Sequence, residues 1–429
     1  MKKLNPFQVV ILGLFIAAIV GGVIVLATTK SKNRGSGIPV VIWGTVAQES
    51  FNYATEEITR GTDGYKITYI EQRPENFDQK LIEALASGSG PDAIILPQDL
   101  ILRYRDKISP IPYSAVPLRT FKDSFIEESE LFLHPLGILA MPFSVDPLVM
   151  YWNRDILTNA GIANPPQFWD EFIALAKNLT VKDQSLNIIK SAVALGEYSN
   201  ITNAKEIIAT LFLQAGNPIT NLDNNGLLVS TLYPATLSSI GAINFYTDFA
   251  NPIKPDYSWN LSLPSSLDFF IAGDLAFYFG FASEISKIRD KNPNLNFDMS
   301  YFPQPRKASV LITFGRMQGI ALLASSRNWQ DAFAAVLAIT SSKNPIARWS
   351  INTGLPPVRR GVLSANPSDP YQEILYNSAL RSRAWLDPNP LRSKTIFQDM
   401  IEFVTSGQFE VGRAIETAGK NLTNAAKGI

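Results

Sequence analysis

The residues best able to do chemistry are aromatic and hydrogen-bonding side chains set singly at the ends of apolar runs. They are Trp43 with Gly44, Gln98 and Asp99, Ser144, Asp146 and Tyr151, Phe281, Arg316, and Arg383 with Trp385. Such a set suits a ring with hydroxyls in its plane and C–H groups on its faces, which is the form of a sugar. Aromatic plates cover the faces, and charged or amide groups take the hydroxyls in pairs. Trp43–Gly44 and Gln98–Asp99 each follow a β-type run, where ligands sit in open α/β sheets. A catalytic alternative uses the same neighbourhood, with Asp146 and Glu284 as paired acid and base on a glycosidic bond.

Other chemistries find little support. The chain has no cysteine, so it carries no disulfide, thiolate nucleophile or cysteine-based metal site. His134 is the single histidine, which removes most histidine-dependent catalysis and most zinc sites. Gly88-Ser89-Gly90 lacks the lysine and Ser/Thr of a phosphate loop. Glu127, Glu128 and Glu130 lack the alternating ligands and central glycine of a calcium loop. No Gly-x-Ser-x-Gly elbow occurs. No metal and no cofactor is expected.

Each candidate also has a structural reading. Trp43 equally reads as a core residue at the end of a buried strand. Asp99 reads as the N-cap of a helix from Leu100, and Asp146 as the start of a turn before Pro147. Tyr151 and Trp152 alternate on one strand, so at most one faces a ligand. Arg383 reads as half of a surface ion pair. Trp169 and Trp329 lie on amphipathic helical patterns and belong to a core.

The elements that must position these residues follow from periodicity. Ile38–Trp43 is a β-branched run, Gln48–Arg60 a helix, Tyr65–Ile70 a strand, Phe77–Ala86 a helix stopped by Gly88, and Asp92–Leu96 a short buried strand. That β-α-β-α-β order begins an open, mostly parallel sheet. Helical patterns follow at 171–179, 204–214 and 237–249, then a helix and strand over 268–279.

The N-terminus carries a different signal. Val9–Ala27 is 19 uncharged residues. At about 1.5 Å per residue it spans roughly 28 Å as a helix, close to a bilayer's hydrocarbon core. Lys2 and Lys3 precede it, favouring a cytoplasmic tip. The run is long for a cleaved signal peptide, and Leu26-Ala27-Thr28-Thr29 is a poor cleavage site. The absence of cysteine removes a lipid anchor. The first 34 residues hold five of the 38 basic residues and no acid, so the remainder has 33 basic against 38 acidic residues, a net of −5. That balance argues against nucleic acid as a partner.

Four blocks, read together in order, carry a family resemblance. GSGPDAIILP at 88–97 sets a Gly-rich turn before a Pro-Asp strand. GILAMPFSVDPLVMYWNRDILTNAGIANPPQFWDEF at 137–172 runs from an apolar strand through a polar patch into a helix. The third block spans 298–342, and the fourth is ARWSINTGLPPVRRG at 347–361. The chain resembles the family-1 extracellular solute-binding proteins, the sugar-capturing receptors of ABC importers. One departure is Phe281-Ala-Ser-Glu284, where the family often shows Trp-Glu.

The resemblance implies an α/β, two-lobe periplasmic-binding-protein-like fold of type II. It has three interlobe crossovers and is preceded here by the transmembrane helix. Residues 1–37 would form the cytoplasmic tip, anchor and tether. Residues 38–141 with 316–342 would form the first lobe, and 144–305 with 344–428 the second. It implies no enzymatic activity, a small solute as ligand, ABC permease subunits as partners, a monomer, and a single-pass membrane protein with its C-terminal part outside. Ser144, Asp146 and Arg316 fall at implied crossovers. An extracellular carbohydrate-active enzyme is the alternative, and a membrane-coupled sensor a third reading.

Overall fold

The computed structural model describes residues 39–60, 65–364, 367 and 369–427. The expected membrane span at 9–27 lies outside these residues. Among the described residues, no helix is long and apolar enough to cross a membrane.

One ten-stranded mixed sheet organises the molecule. Its strands are β1 (Val40–Gly44), β2 (Ile67–Glu71), β3 (Ala93–Pro97), β4 (Met141–Asn153), β5 (Val181–Lys182), β6 (Ile188–Val193), β7 (Leu275–Phe281), β8 (Phe297–Ser300), β9 (Thr313–Leu322) and β10 (Ser382–Arg383). The order is β2-β1-β3-β9-β4-β7-β6-β5, with β8 added on β4 and β10 on β9. Strand β1 pairs parallel with β2 and β3, and β7 parallel with β6. Strands β4 and β9 pair antiparallel with each other and with their other long neighbours.

The helices that matter here are α1 (Gln48–Thr59), α2 (Pro74–Ala86), α3 (Trp169–Leu179), α4 (Ala204–Gln214), α5 (Leu237–Asp248), α6 (Ser266–Ala272), α7 (Trp329–Ser341), α8 (Lys343–Thr353), α9 (Pro370–Arg381), α10 (Pro390–Thr405) and α11 (Val411–Ala426). Local rules explain their ends. Pro74 opens α2, where its missing N–H is no loss. The chain leaves α2 through Gly88 at φ +68°, a conformation that glycine adopts without a Cβ penalty.

Apolar burial divides between two cores. The first gathers β1–β3, α1, α2 and the early part of β4, then Met317, Ile320–Leu323 and α7. The second gathers Leu148–Tyr151, α3–α6, β7, α10 and α11. Strand β4 serves both. Its Met141, Phe143 and Val145 lie in the first core, and Leu148–Tyr151 in the second. Strand β9 returns the chain, with Phe314 in the second core and Met317 in the first. The boundary falls between directly paired residues, Arg316 opposite Asp146 and Gly315 opposite Pro147. Helix α9 makes a third passage, its Leu375 in the second core and Ala379 in the first.

Two expected boundaries are corrected. The first core extends along β4 to Val145 rather than ending at Met141. The segment from 344 does not belong whole to the second part. Ile346, Trp349, Val358 and Leu363 pack in the first core. Arg348 fixes α8 to α1 by an ion pair with Glu56 at 2.6 Å and a hydrogen bond to the Tyr53 carbonyl at 2.8 Å.

Candidate functional site

The boundary between the cores opens as a cleft of about 320 Å³. The end of β3 and the middles of β4 and β9 build its first side. Gln98 and Asp99 follow β3, and Ser144 and Asp146 stand on β4. Phe314, Arg316 and Gln318 alternate along β9 and all line the cleft. Lys205 and Glu206, in the first turn of α4, close it from the second side with Trp385 and Asp387. Trp349 of α8 and Leu355 complete it from the first core. A second hollow of about 470 Å³ adjoins it and shares Lys205, Glu206 and Arg316.

Most polar groups here are held by protein partners. Gln98 donates through Nε2 to the Gly315 carbonyl at 3.0 Å and accepts the Met317 N–H, so it clamps β9. Trp349 donates its indole N–H to Ser144 Oγ at 3.0 Å. Lys205 donates to Asp387 Oδ2 at 2.9 Å and to Ser393 Oγ at 3.3 Å. Arg316 donates to Glu206 Oε1 at 3.0 Å and lies 3.7 Å from the Phe281 ring centroid, a cation–π contact.

Two carboxylates are less compensated. Asp146 is held by Ser283 alone, through its N–H at 3.1 Å and its side chain. Burial pushes its pKa up to about 6, against the pull of those bonds and of Arg316. Burial also raises Asp99, with Lys205 acting the other way. Glu206 is lowered despite the cost of its burial, because the Arg316 and Lys205 charges outweigh it.

Of the residues named from sequence, the cleft brings together Gln98, Asp99, Ser144, Asp146, Arg316 and Trp385. It does not take the other five. Trp43 packs against the first core with its indole N–H buried and unpaired. Gly44 is small for a packing reason, since a Cβ there would meet Tyr69 Oη at 2.8 Å and Ile95 Cβ at 2.9 Å. Tyr151 is fully buried and donates its hydroxyl to the Phe281 carbonyl at 2.8 Å. Phe281 is fully buried, and Arg316 lies over its ring. Arg383 pairs with Glu127.

Asp99 is not a helix cap, because it lies inside the 3-10 turn Gln98–Leu100, whose N-cap position is Pro97. Trp169 is core, while Trp329 is half-buried and donates to Ser109 Oγ at 3.0 Å. Glu284 accepts from Tyr278 and, at 3.0 Å, from Asn203, and does not line the cleft. The Asp146–Glu284 acid and base pair of the alternative reading is therefore not brought together in the cleft.

Sequence reading missed Lys205, Glu206, Phe314, Trp349 and Asp387. Helix α4 was visible, but nothing local showed that its first turn points across the boundary. Trp349 lay inside a block already singled out, and Asp387 stands two residues past Trp385.

The chain matches the model of the bacterial extracellular solute-binding protein family over residues 44–349. It belongs to that family, whose matches are binding proteins rather than enzymes. It is 21% identical over 357 residues to a binding protein of Brucella abortus (strain 2308), covering 80% of this chain and 81% of that one. Its fold is similar to a cyclo/maltodextrin-binding protein solved with maltotetraose, with a TM-score of 0.72 and 16% identity over 91% of this chain and 98% of that chain. It is also similar to the cyclic alpha-maltosyl-1,6-maltose binding protein of Arthrobacter globiformis, with a TM-score of 0.75 and 17% identity over 91% and 100%.

Proposed function

We propose that this chain is an extracytoplasmic receptor that captures an oligosaccharide between two closing lobes and passes it to the permease of an ABC importer. The first lobe takes residues to Val145 with 317–363. The second takes 148–314 with the chain from Trp385 onward. The apolar segment at 9–27 is the membrane anchor of this reading, and the receptor acts as a monomer.

The observation that carries the reading is the composition of the cleft at the core boundary. Trp349 and Trp385 offer aromatic surface, while Asp99, Asp146, Lys205, Glu206, Arg316 and Asp387 offer charged hydrogen-bonding groups. That pairing suits ring faces and ring hydroxyls. With the adjoining hollow, the space falls within the range usual for small-molecule sites. The two solved neighbours bind maltotetraose and a cyclic maltosyl-maltose by their descriptions, which supports the choice of ligand class.

The test is calorimetry of the full chain against maltotetraose and mannobiose, beside an assay for release of new reducing ends. Saturable binding with the sugar recovered intact is expected. Hydrolysis of the sugar would overturn the receptor reading. Binding of neither sugar, with capture of another solute class from a screen, would overturn the ligand class.

A further inference from the structure

Against β9 lies a carboxyl group that does not line the cleft. Glu128 sits in a 3-10 turn, Glu127–Phe132, whose Phe132 belongs to the first core. The residue is 2 % exposed, and neither carboxyl oxygen has a hydrogen-bond partner. An unsatisfied buried carboxyl in a native fold calls for an explanation. It presses on Gly315, where a Cβ would overlap the carboxyl group. Gly315 is the boundary residue of β9, its carbonyl held from another side by Gln98. Its neighbours Phe314 and Arg316 line the cleft.

The charged surroundings of Glu128 are few. Strand β10 brings Arg383, whose charge acts on Glu128 while its guanidinium is paired with Glu127. On its own turn, Glu130 is paired at 2.7 Å with Lys122 of the helix Leu118–Ser124. That helix's Arg119 and Asp123 lie 3.6 Å apart, both well exposed. At the entry to the turn, Arg360 donates to the Phe125 carbonyl and Arg359 to the Thr340 carbonyl. Asp146 of β4 is bound to Ser283, and Arg316 of β9 to Glu206.

We propose that Glu128 is a positioning residue for the cleft, its proton deciding how the Gly315–Arg316 segment lies. Neutral, it fits as an uncharged wedge against Gly315 and leaves Arg383 to Glu127. Ionised, it cannot stay buried without a cation. It then draws the Arg383 guanidinium from Glu127. Because β10 is paired to β9 at Thr313 and Phe314, that exchange shifts the strand carrying Phe314 and Arg316. Burial holds the Glu128 pKa at about 8, so the exchange falls in a mildly alkaline range. The consequence for ligand rests on the cleft being the binding site, but the device itself does not.

The test therefore reads the protein and not a ligand. Near-UV circular dichroism and tryptophan emission of the full chain are followed from pH 6.5 to 9.5, since Trp349 and Trp385 stand in the cleft. A transition with its midpoint near 8 is expected, and Glu128→Gln should abolish it. Arg383→Gln should raise the midpoint, because the cation is lost. Glu127→Gln should lower it, because Arg383 is freed for Glu128. A merely structural carboxyl would not move a midpoint in opposite directions. No transition in the wild type, or one that survives in Glu128→Gln, overturns the proposal. If Glu128→Gln does not fold, the opposite shifts of the other two variants support it, and unchanged midpoints overturn it. Calorimetry with maltotetraose at pH 7 and 9 is a separate arm, whose failure with the transition present sinks the ligand reading alone.

Discussion

Arg316 joins the two sides of the cleft through Glu206 and the Phe281 ring. Its side chain is half exposed, so screening keeps the stabilisation modest. Arg316→Met should cost on the order of 1 kcal/mol of stability but at least about tenfold in sugar affinity, since a hydrogen bond to a charged group contributes roughly 1.5–3 kcal/mol. Thermal melts and calorimetry separate the two effects. Asp146 gives a pH signature. Its folded pKa, about 6, lies above its ordinary 3.8. The protonated form is thus favoured by folding, and the stability it contributes is lost as pH rises from about 4 through 6. Asp146→Asn should flatten that part of the melting-temperature profile. Trp385 is 5 % exposed and stacks on Phe397 at 5.9 Å, so it serves both cleft and core. Trp385→Ala should weaken binding by roughly ten- to a hundredfold and also lower stability by about 3 kcal/mol. Normal melting in that variant would count against its place in the core.

Strands β4 and β9 carry most of the architecture between them. Each spans both cores, and their pairing shifts register between Gln318 and Gly319. A Cβ at Gly319 would meet Ala140 Cβ at 2.7 Å and Phe132 Cε2 at 2.9 Å. Gly319→Ala should therefore destabilise by about 1–3 kcal/mol through overpacking. The open Gly161 makes no such contact within 4 Å, but its φ of +72° penalises a side chain, so the comparison there is with strain alone. Urea unfolding checks the Gly319 figure, and an unchanged midpoint would refute tight packing at this crossing. Helices such as α4 were legible from apolar spacing alone, and the observed span, Ala204–Gln214, matches that reading. The 13-residue length of β4 was not, because its residues 141–153 read as two apolar runs with a polar patch between them.

At the scale of the whole molecule, the described residues form two cores joined by β4, β9 and the α9 region, a boundary that should bend without breaking either core. Ligand in the cleft should close the two halves. Small-angle scattering with and without saturating maltotetraose should show a smaller radius of gyration in the bound state. Identical curves would remove the closing motion. The same ligand at 100 times its dissociation constant should add about 2.7 kcal/mol to stability, readable as a higher melting temperature.

The sequence by itself determined the β-α-β-α-β opening, several helices such as α4, and the family, but not the C-terminal helices α10 and α11. Each rests on local periodicity, turn residues or ordered short blocks, which a linear reading preserves. It also proposed Gln98, Asp99, Ser144, Asp146, Arg316 and Trp385, which line the cleft, because these stand after a strand, at a crossing or beside an aromatic residue. Only the tertiary structure decided which candidates face the cleft. Tyr151 and Phe281 look like platforms in sequence, yet both are core, since β4 and β7 are buried on both faces. Lys205 and Asp387 meet across 182 residues of chain. Ile346 and Trp349 joined the first core because α8 packs on α1, a contact about 300 residues apart that no local pattern encodes.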